Sequence, residues 1–333
     1  MPGLKIARTD IFKADLPYSG GVYHFSGGRE YWGFDATFVR ITTDTGIQGW
    51  GESTPFGSTY IAAHALGVRA GIAEIAPWLI GLDPKRVDRI NETTDATLVG
   101  HEHAKTPLDI ACWDIFGKSV GMPVCELLGG RMDVGLPVIS SIYMDKPEDM
   151  RRCVAEHRAR EYIGHSIKVG GDPGEDARRI TASLADKQPG EFFLVDANCG
   201  MTVESALRML RLLPSGLDFV LEAPSEGFYI KISKNGGLTK SRRHRDIGIS
   251  AGYTMSCQET TGSDIAFAAI VHLGQTIPGR YLRCILECRD MITGKTVDGN
   301  FEVKNGRVHA PTERGLGITP RLDVLGEAVA SYS

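Results

Sequence analysis

The sequence predicts an α/β chain in two parts: an N-terminal α+β domain, then a (β/α) barrel from which one strand–helix unit is missing. Three observations carry that expectation. The apolar strands HSIKVGGD, FFLVDANCG and DFVLEAP end in Lys168, Asp196 and Glu222. Lys168 and Asp196 stand 28 positions apart, and Asp196 and Glu222 stand 26 apart, the length of one strand–helix unit in a parallel fold. Helical patterns fill the intervals at 173–186 and 203–213, with apolar residues at three- and four-residue spacings.

A chain of 333 residues has room for both parts, since a barrel takes about 200 residues or more. Apolar content of 42% and charged content of 23% are those of an ordinary globular protein. A net charge of −4 provides no basic surface for nucleic acid or an anionic membrane. The cysteines, 7 in all with no CxxC pair, argue against a zinc or disulfide framework. MPGLKIARTD has no signal-peptide character, and no apolar run approaches ~18 residues. A cytoplasmic protein without nucleic-acid or membrane partners is expected.

In chain order, residues 4–16 alternate as a strand, and 34–51 read as two strands about a Thr-Asp-Thr-Gly turn. The Gly-rich segment 19–29 reads as a mobile flap, because no strand–loop–helix context makes it a phosphate cradle. Helical patterns follow at 60–79, 85–99 and 105–120, the last ending at Gly121-Met122-Pro123. Residues 1–125 are expected as the first domain. The strand–helix rhythm starts with strand 136–143 and helix 147–160 and runs through the units of Lys168, Asp196 and Glu222. It then breaks. Strand 229–233 begins only 7 residues after Glu222, whereas a crossover between parallel strands takes at least about 10–12 residues. Helix 237–250, strand 253–258, helix 263–273 and strand 282–287 resume the period. That makes seven strands where a closed barrel takes eight, and the missing unit falls at residues 225–227. The barrel is expected over 126–315. The tail holds a short strand pair, FEVKNGRVHA, and a helix from Asp323, with 316–333 packing back on the first domain.

The C-terminal ends of parallel barrel strands open on one face, where active sites are built. One ammonium and two carboxylates at three such ends point to a divalent metal with a base beside it. Asp196 and Glu222 are the candidate ligands and Lys168 the candidate base. A single such residue would read as a strand cap or a surface ion pair; three in register read as a site. Lys231, a charge inside the apolar strand YIKIS, reads as catalytic, whereas Lys234 and Lys240 read as solvated. Asn198 reads equally as a residue orienting a ligand or as a loop cap. Gln258 and Glu259 end one later strand, and one of them faces the site. Glu287 ends the last strand, in position for a substrate ammonium. Tyr18, Tyr23 and His24 in the flap are candidates for substrate selection.

WGESTP at 50–55, AKTPLDIACWDIFGKSVGMPVCELLGG at 104–130, SIKVGGDP at 166–173, VDAN at 195–198, LEAP at 221–224, KISKNGGLTK at 231–240 and QETTGSD at 258–264 occur in this order. Together they resemble the enolase superfamily, in the branch of muconate lactonizing enzyme and its racemase and dehydratase relatives. Within that branch, YSGGVYHFSGG and CILECRDM are most similar to the cis-3-hydroxy-L-proline dehydratase group, with betaine epimerases next. The resemblance implies an enolase-type barrel under an N-terminal capping domain. It implies Mg²⁺ on carboxylates ending three successive strands. Asp196 and Glu222 match the first two, and the third falls in the missing unit. It implies paired lysines, matched by Lys168, the second member of a Lys-x-Lys motif, and Lys231. Ser166 stands where the first member of that motif is usually lysine, a departure that puts it among the substrate-facing candidates. A lysine beside Mg²⁺ and a second ammonium is expected below its free value of about 10.4. Glu52 reads as structure at the core edge rather than as a cap-to-barrel contact. The implied function is Mg²⁺-dependent removal of the α-proton of a small cyclic amino acid with β-elimination of water, on cis-3-hydroxy-L-proline. The alternatives are a racemase or 2-epimerase of amino acids or proline betaines and, outside enzymes, a catalytically dead structural barrel. Family habit implies a homo-oligomer, dimer or octamer.

Overall fold

The computed structural model describes residues 4–25, 28–198, 200–222, 229–299 and 301–333. Its first part runs β1 (Ile6–Pro17), β2 (Tyr23–Phe25), β3 (Arg29–Tyr31), β4 (Gly33–Thr43) and β5 (Gln48–Ser53). Then come α1 (Ala65–Leu79), α2 (Val87–Thr97), α3 (Glu102–Val120) and the single turn α4 (Val124–Leu127). β4 pairs antiparallel with both β1 and β5. α3 lies so close on β5 that a Cβ on Gly49 or Gly51 would collide with the carbonyl oxygens of Ala111 and Pro107. The glycine of WGESTP is therefore a packing requirement. α3 is buried between β5 and the barrel, and its buried charges are partnered. Asp114 accepts from Lys118, Trp50 N–H and Leu316 N–H, and Asp109 from Asn91 and Thr239.

The second part runs β6 (Leu136–Ile142), α5 (Pro147–Ala159), β7 (Gly164–Lys168), α6 (Pro173–Leu184), β8 (Phe192–Asp196), α7 (Val203–Leu212) and β9 (Val220–Glu222). It continues with β10 (Ile230–Lys231), α8 (Ile232–Asn235), α9 (Leu238–Ser250), β11 (Met255–Gln258), α10 (Asp264–Gly274) and β12 (Leu282–Leu286). These strands are parallel in the order β10-β11-β12-β6-β7-β8-β9. Side chains of Asp172 and Thr202 accept backbone N–H groups at the starts of α6 and α7, which fixes where each strand–loop–helix unit turns. The predicted barrel is present, open along one seam: among the described residues β9 pairs with β8 alone and β10 with β11 alone. The seam falls where the sequence lacks a strand–helix unit; residues 225–227 themselves lie outside the described residues. Val203, Leu207 and Leu210 form an exposed apolar stripe on α7, the helix beside which the next helix of a closed barrel would stand.

The tail adds β13 (Val297–Asp298), β14 (Arg307–Val308), β15 (Thr319–Pro320), α11 (Leu322–Leu325) and β16 (Ala330–Tyr332). β14 runs antiparallel along the base of β6, and β16 extends the first sheet on the free edge of β1, with Tyr332 opposite Thr9. No helix among the described residues is long and apolar enough to cross a membrane.

Several expectations change. The flap contains a hairpin, β2 against β3 with Tyr23 opposite Tyr31, because Tyr23 and Phe25 alternate inward onto Phe56. Helix 60–79 starts only at Ala65, where the His64 ring accepts the Gly67 N–H at 3.2 Å, leaving Tyr60 on a loop. Strand 229–233 retains only Ile230–Lys231 before turning into α8, which ends at Gly236 with φ 88. In the tail, the strand pair shrinks to the Lys304–Arg307 bridge, since Arg307 and Val308 pair with β6 instead. The helix expected from Asp323 is the single turn α11. Glu52 makes the cap-to-barrel contact: its carboxylate accepts the Ser263 and Ala266 N–H groups at the start of α10. Lys240 is not solvated but ion-paired with Asp95 and Glu102, whereas Lys234 is exposed as expected, its ammonium near the Tyr60 ring.

Candidate active site

Parallel pairing puts Lys168 opposite Asp196 and Asp196 opposite Glu222, so three neighbouring strands present their last residues in one row. Lys231 is opposite Gln258 on the strands across the barrel. Lys168, Asp196, Lys231 and Gln258 line one cavity of about 20 Å³, room for one or two waters (a water needs about 10–15 Å³). The first domain roofs it with Tyr23, Phe25, Phe56 and Tyr60, a cluster of mutually packed rings.

Asp196 is the centre of the polar network. Its Oδ2 accepts from Lys168 Nζ at 2.6 Å and from Asn198 Nδ2 at 2.8 Å, and its Oδ1 accepts from the Asn198 N–H at 2.8 Å. Asn198 can donate twice to one carboxylate because its backbone is left-handed, φ 46. Asn198 thus spends both its backbone and its side-chain donor on the Asp196 carboxylate. Burial pushes the Asp196 acid up, but the charges of Lys168 and Lys231 and these hydrogen bonds outweigh it and hold the group below the ordinary range. Burial and the Asp196 charge push Glu222 up to about 7, although Gln258 hydrogen-bonds it. Burial alone would lower Lys168, yet Asp196, Tyr23 and Glu222 raise it above the ordinary lysine range. Lys231 is likewise raised, burial being outweighed by Tyr60, Asp196 and Glu222. With no divalent cation on them, two carboxylates count for more than one second ammonium; the depression expected of a lysine beside Mg²⁺ belongs to the metal-loaded site.

Ser166 is buried two residues before Lys168 on the same face of β7 and lines the cavity. Glu259 also lines it, but accepts from the Ser233 N–H at 2.9 Å, and burial pushes it up to about 8. Three candidates lie elsewhere. Glu287 is clamped by Arg289 at 2.7 and 2.5 Å, so its carboxylate is spent on a neighbour two residues away and does not line the cavity. Tyr18 packs behind the roof against Tyr23 and Tyr143. His24 is half exposed and 3.3 Å from Glu30, because β2 alternates and His24 points away from the cavity. Tyr60 was not foreseen: its hydroxyl is 3.3 Å from Asn198 Nδ2 and 3.4 Å from Lys231 Nζ. Phe25 and Phe56 were also missed, although the period-two spacing of Tyr23 and Phe25 marks one inward face. Among the described residues no three His, Cys, Asp or Glu side chains are grouped to hold a metal ion.

Two family models match the chain: "Mandelate racemase / muconate lactonizing enzyme, N-terminal domain" over residues 35–129 and "Enolase C-terminal domain-like" over residues 223–324. The chain belongs to the mandelate racemase/muconate lactonizing enzyme family of the enolase superfamily. It is an enzyme of that superfamily, whose other members similar to it include a cis-3-hydroxy-L-proline dehydratase and muconate cycloisomerases. The cis-3-hydroxy-L-proline dehydratase of Roseibium aggregatum is 36% identical, with 99% of this chain and 100% of that protein covered. The alignment runs over 367 positions, 34 more than the 333 residues here, in keeping with a barrel short of one unit. A mandelate racemase/muconate lactonizing enzyme homologue from Aspergillus oryzae is 61% identical with a TM-score of 0.93, covering 99% of this chain and 100% of that one. One from Roseovarius nubinhibens, solved with magnesium, is 48% identical with a TM-score of 0.96 and the same coverage.

Proposed function

We propose that this family member is a Mg²⁺-dependent hydro-lyase acting on a small cyclic amino acid, cis-3-hydroxy-L-proline. The observation that carries the reading is the pair of lysines: Lys168 on β7 and Lys231 on β10 reach one roofed cavity from different strands, with two carboxylates beside them. The full-length similarity to the Roseibium dehydratase supports the choice of substrate. We place the chemistry in residues 126–315, with 1–125 as the cap and 316–333 returning to it.

The donor set suits Mg²⁺, which takes hard oxygen ligands. Asp196 and Glu222 stand in one register row, and the displacement of Glu222 to about 7 marks a buried like-charge pair that a divalent cation relieves. They would hold the ion as two protein ligands. When bound, it would act as a Lewis acid toward the negative charge that builds on the substrate carboxylate. Lys168 Nζ takes the α-proton from one ring face. Lys231 gives a proton to the departing hydroxyl on the other, so the C3–O bond breaks and water leaves. In the cis isomer the α-hydrogen and the β-hydroxyl lie on opposite faces, which matches opposed lysines. Asn198 keeps the Asp196 carboxylate from rotating, and the aromatic roof excludes water.

The test is incubation of each hydroxyproline isomer with the protein and Mg²⁺. The cis-3-hydroxy-L isomer should give Δ¹-pyrroline-2-carboxylate, seen as a colour with o-aminobenzaldehyde, and the trans isomer should react far more slowly. A second reading has support in the similar N-succinyl-L-Arg/Lys racemase and L-Lys-D/L-Arg epimerase, since opposed lysines also permit inversion. Inverted proline betaine, with no pyrroline from any hydroxyproline, would reject the dehydratase in favour of the epimerase.

A further inference from the structure

We propose that Glu259 is a positioning residue: by holding the Ser233 N–H it fixes the chain corner on which Lys231 stands, and so governs whether a proton reaches the departing hydroxyl. The inference rests on the assignment of Lys231 as the acid in the reaction proposed above. Lys231 is the last residue of β10, and that strand pairs with β11 through two residues only, Ile230 opposite Cys257 and Lys231 opposite Gln258. The chain then turns at once into α8, with Lys231 itself at the corner (φ −95, ψ 109) and no bond from its own side chain to the turn. So short a ladder leaves the direction of the corner to other contacts. Glu259, the residue after Gln258, supplies one. Its Oε1 accepts the Ser233 N–H at 2.9 Å, so the end of β11 is tied to the chain two residues past Lys231. Both residues are buried, and the bond is not traded for one to water.

The first domain grips the same corner from the other side. The Thr106 hydroxyl on α3 is 3.3 Å from the Ser233 carbonyl oxygen. Asp109, one turn further along α3, accepts the Thr239 N–H at 3.0 Å and the Thr239 hydroxyl at 2.6 Å. Between those two points, a Cβ on Gly236 or Gly237 would collide with the carboxylates of Glu102 and Asp109, so α8 sits directly on α3. Glu259 closes the remaining side, toward β11. It also lines the catalytic cavity, which gives it a rival role, direct contact with the substrate ammonium. The two roles make different demands: a grip needs an acceptor oxygen, whereas an ammonium needs negative charge. Burial pushes the Glu259 acid up to about 8, so near neutral pH the group is largely uncharged, which suits the grip.

The experiment follows cis-3-hydroxy-L-proline with Mg²⁺ in D₂O and reads two rates. Pyrroline formation needs the acid; the appearance of α-deuterium in the remaining substrate needs only the base. Glu259→Met fills the same space without the acceptor. It should slow pyrroline formation by about 100-fold, the effect of a displacement near 1 Å, and α-deuteration by no more than about 5-fold. KM should change by less than about 3-fold. Glu259→Gln, which keeps an acceptor oxygen without charge, should recover pyrroline formation to within about 10-fold of wild type. Equal falls of both rates in Glu259→Met, no fall, or a Glu259→Gln as slow as Glu259→Met overturns the grip. So does a raised KM with kcat retained, the result of direct substrate contact. If Glu259→Met shows no cooperative urea transition, Glu259→Asp, one methylene too short to reach Ser233, takes its place with the same expectation. Lys231→Ala tests the parent reading separately: pyrroline formation should fall while α-deuteration persists. If it does not, or if wild type forms no pyrroline, crystal structures of wild type and Glu259→Met decide the grip. Lys231 Nζ displaced by about 1 Å or more from its place 3.4 Å from the Tyr60 hydroxyl supports it, and an unmoved Nζ sinks it.

Discussion

Removing the Glu52 carboxylate should separate the cap from the barrel energetically. Its oxygens accept the Ser263 N–H at 2.8 Å, the Ser263 hydroxyl at 2.6 Å, the Ala266 N–H at 3.0 Å and the Thr54 hydroxyl at 2.7 Å. In Glu52→Ala the hydroxyls can re-aim, since Ser263 Oγ already lies 2.7 Å from Thr296 Oγ1. The two backbone N–H groups cannot, because the first turn of α10 fixes them. Each buried, unpaired N–H costs about 1–3 kcal/mol, and the lost charge at a helix N-terminus adds about 0.5–1 kcal/mol. The sum, about 2.5–7 kcal/mol, is a large part of a typical stability of about 5–15 kcal/mol. Burial pushes the Glu52 acid up, but each of these four partners donates to it, so the ionised form is the one the site accommodates. Glu52→Gln should therefore cost about 1–2 kcal/mol, as its amide N–H₂ must face a donor. Urea unfolding at neutral pH, followed by far-UV circular dichroism and by fluorescence of the buried Trp50, measures both variants. A Glu52→Ala protein within 1 kcal/mol of wild type (about the value of one ordinary hydrogen bond) would refute the reasoning.

Lys168→Ala should slow α-proton exchange by at least about 100-fold, and, because it strips the buried Asp196 carboxylate of its ion pair, should also lower the urea midpoint; retention of most of the rate would reject Lys168 as the base. Burial holds His103, His165 and His272 at about 4. The unfolded chain takes up their protons near pH 6.5 and the folded chain does not, so their contribution to stability is full above about 6.5 and falls as pH drops toward 4. Together the three histidines add up to three protons to the slope, offset by Glu222 and Glu259. The acids of these two, at about 7 and about 8, keep protons in the folded chain that the unfolded chain loses above about 4.3. His272→Gln should lower the slope by up to one proton, about 1.4 kcal/mol per pH unit, in urea titrations run from pH 7.5 to 5. Inserting a strand–helix unit between Glu222 and Lys231 should cover Val203, Leu207 and Leu210 and pair both open strand edges, raising stability by about 3 kcal/mol or more from apolar burial alone. An insertion that leaves the urea midpoint unchanged would show that the seam is not a vacancy in the barrel.

What was legible in the sequence was local or periodic. Lys168, Asp196 and Glu222 could be read because each ends a short apolar run, and the strand–helix period brings the runs into one row. The seam could be read because chain length is a hard limit: so few residues cannot carry a right-handed crossover, whatever their chemistry. Glu287 shows where that logic stops. It occupies the same end-of-strand position, yet Arg289 folds back on it through a turn that no periodicity announces. Glu52 was visible, but its partners lie more than 200 residues away in sequence, so its contact with the start of α10 could not be weighed against a core-edge role. The lysine shifts could not be weighed from sequence for a related reason: each is a sum over charges at distances that only the fold sets. Tyr60 was hidden by one cap. The apolar pattern of α1 extends back to it, and only the His64 ring accepting the Gly67 N–H ends the helix early enough to leave the phenol on a loop over the barrel. Strand ends bring Lys168, Asp196 and Glu222 together, but the point at which a helix of the other domain begins decides that a phenol hydroxyl stands beside Asn198 and Lys231 above them.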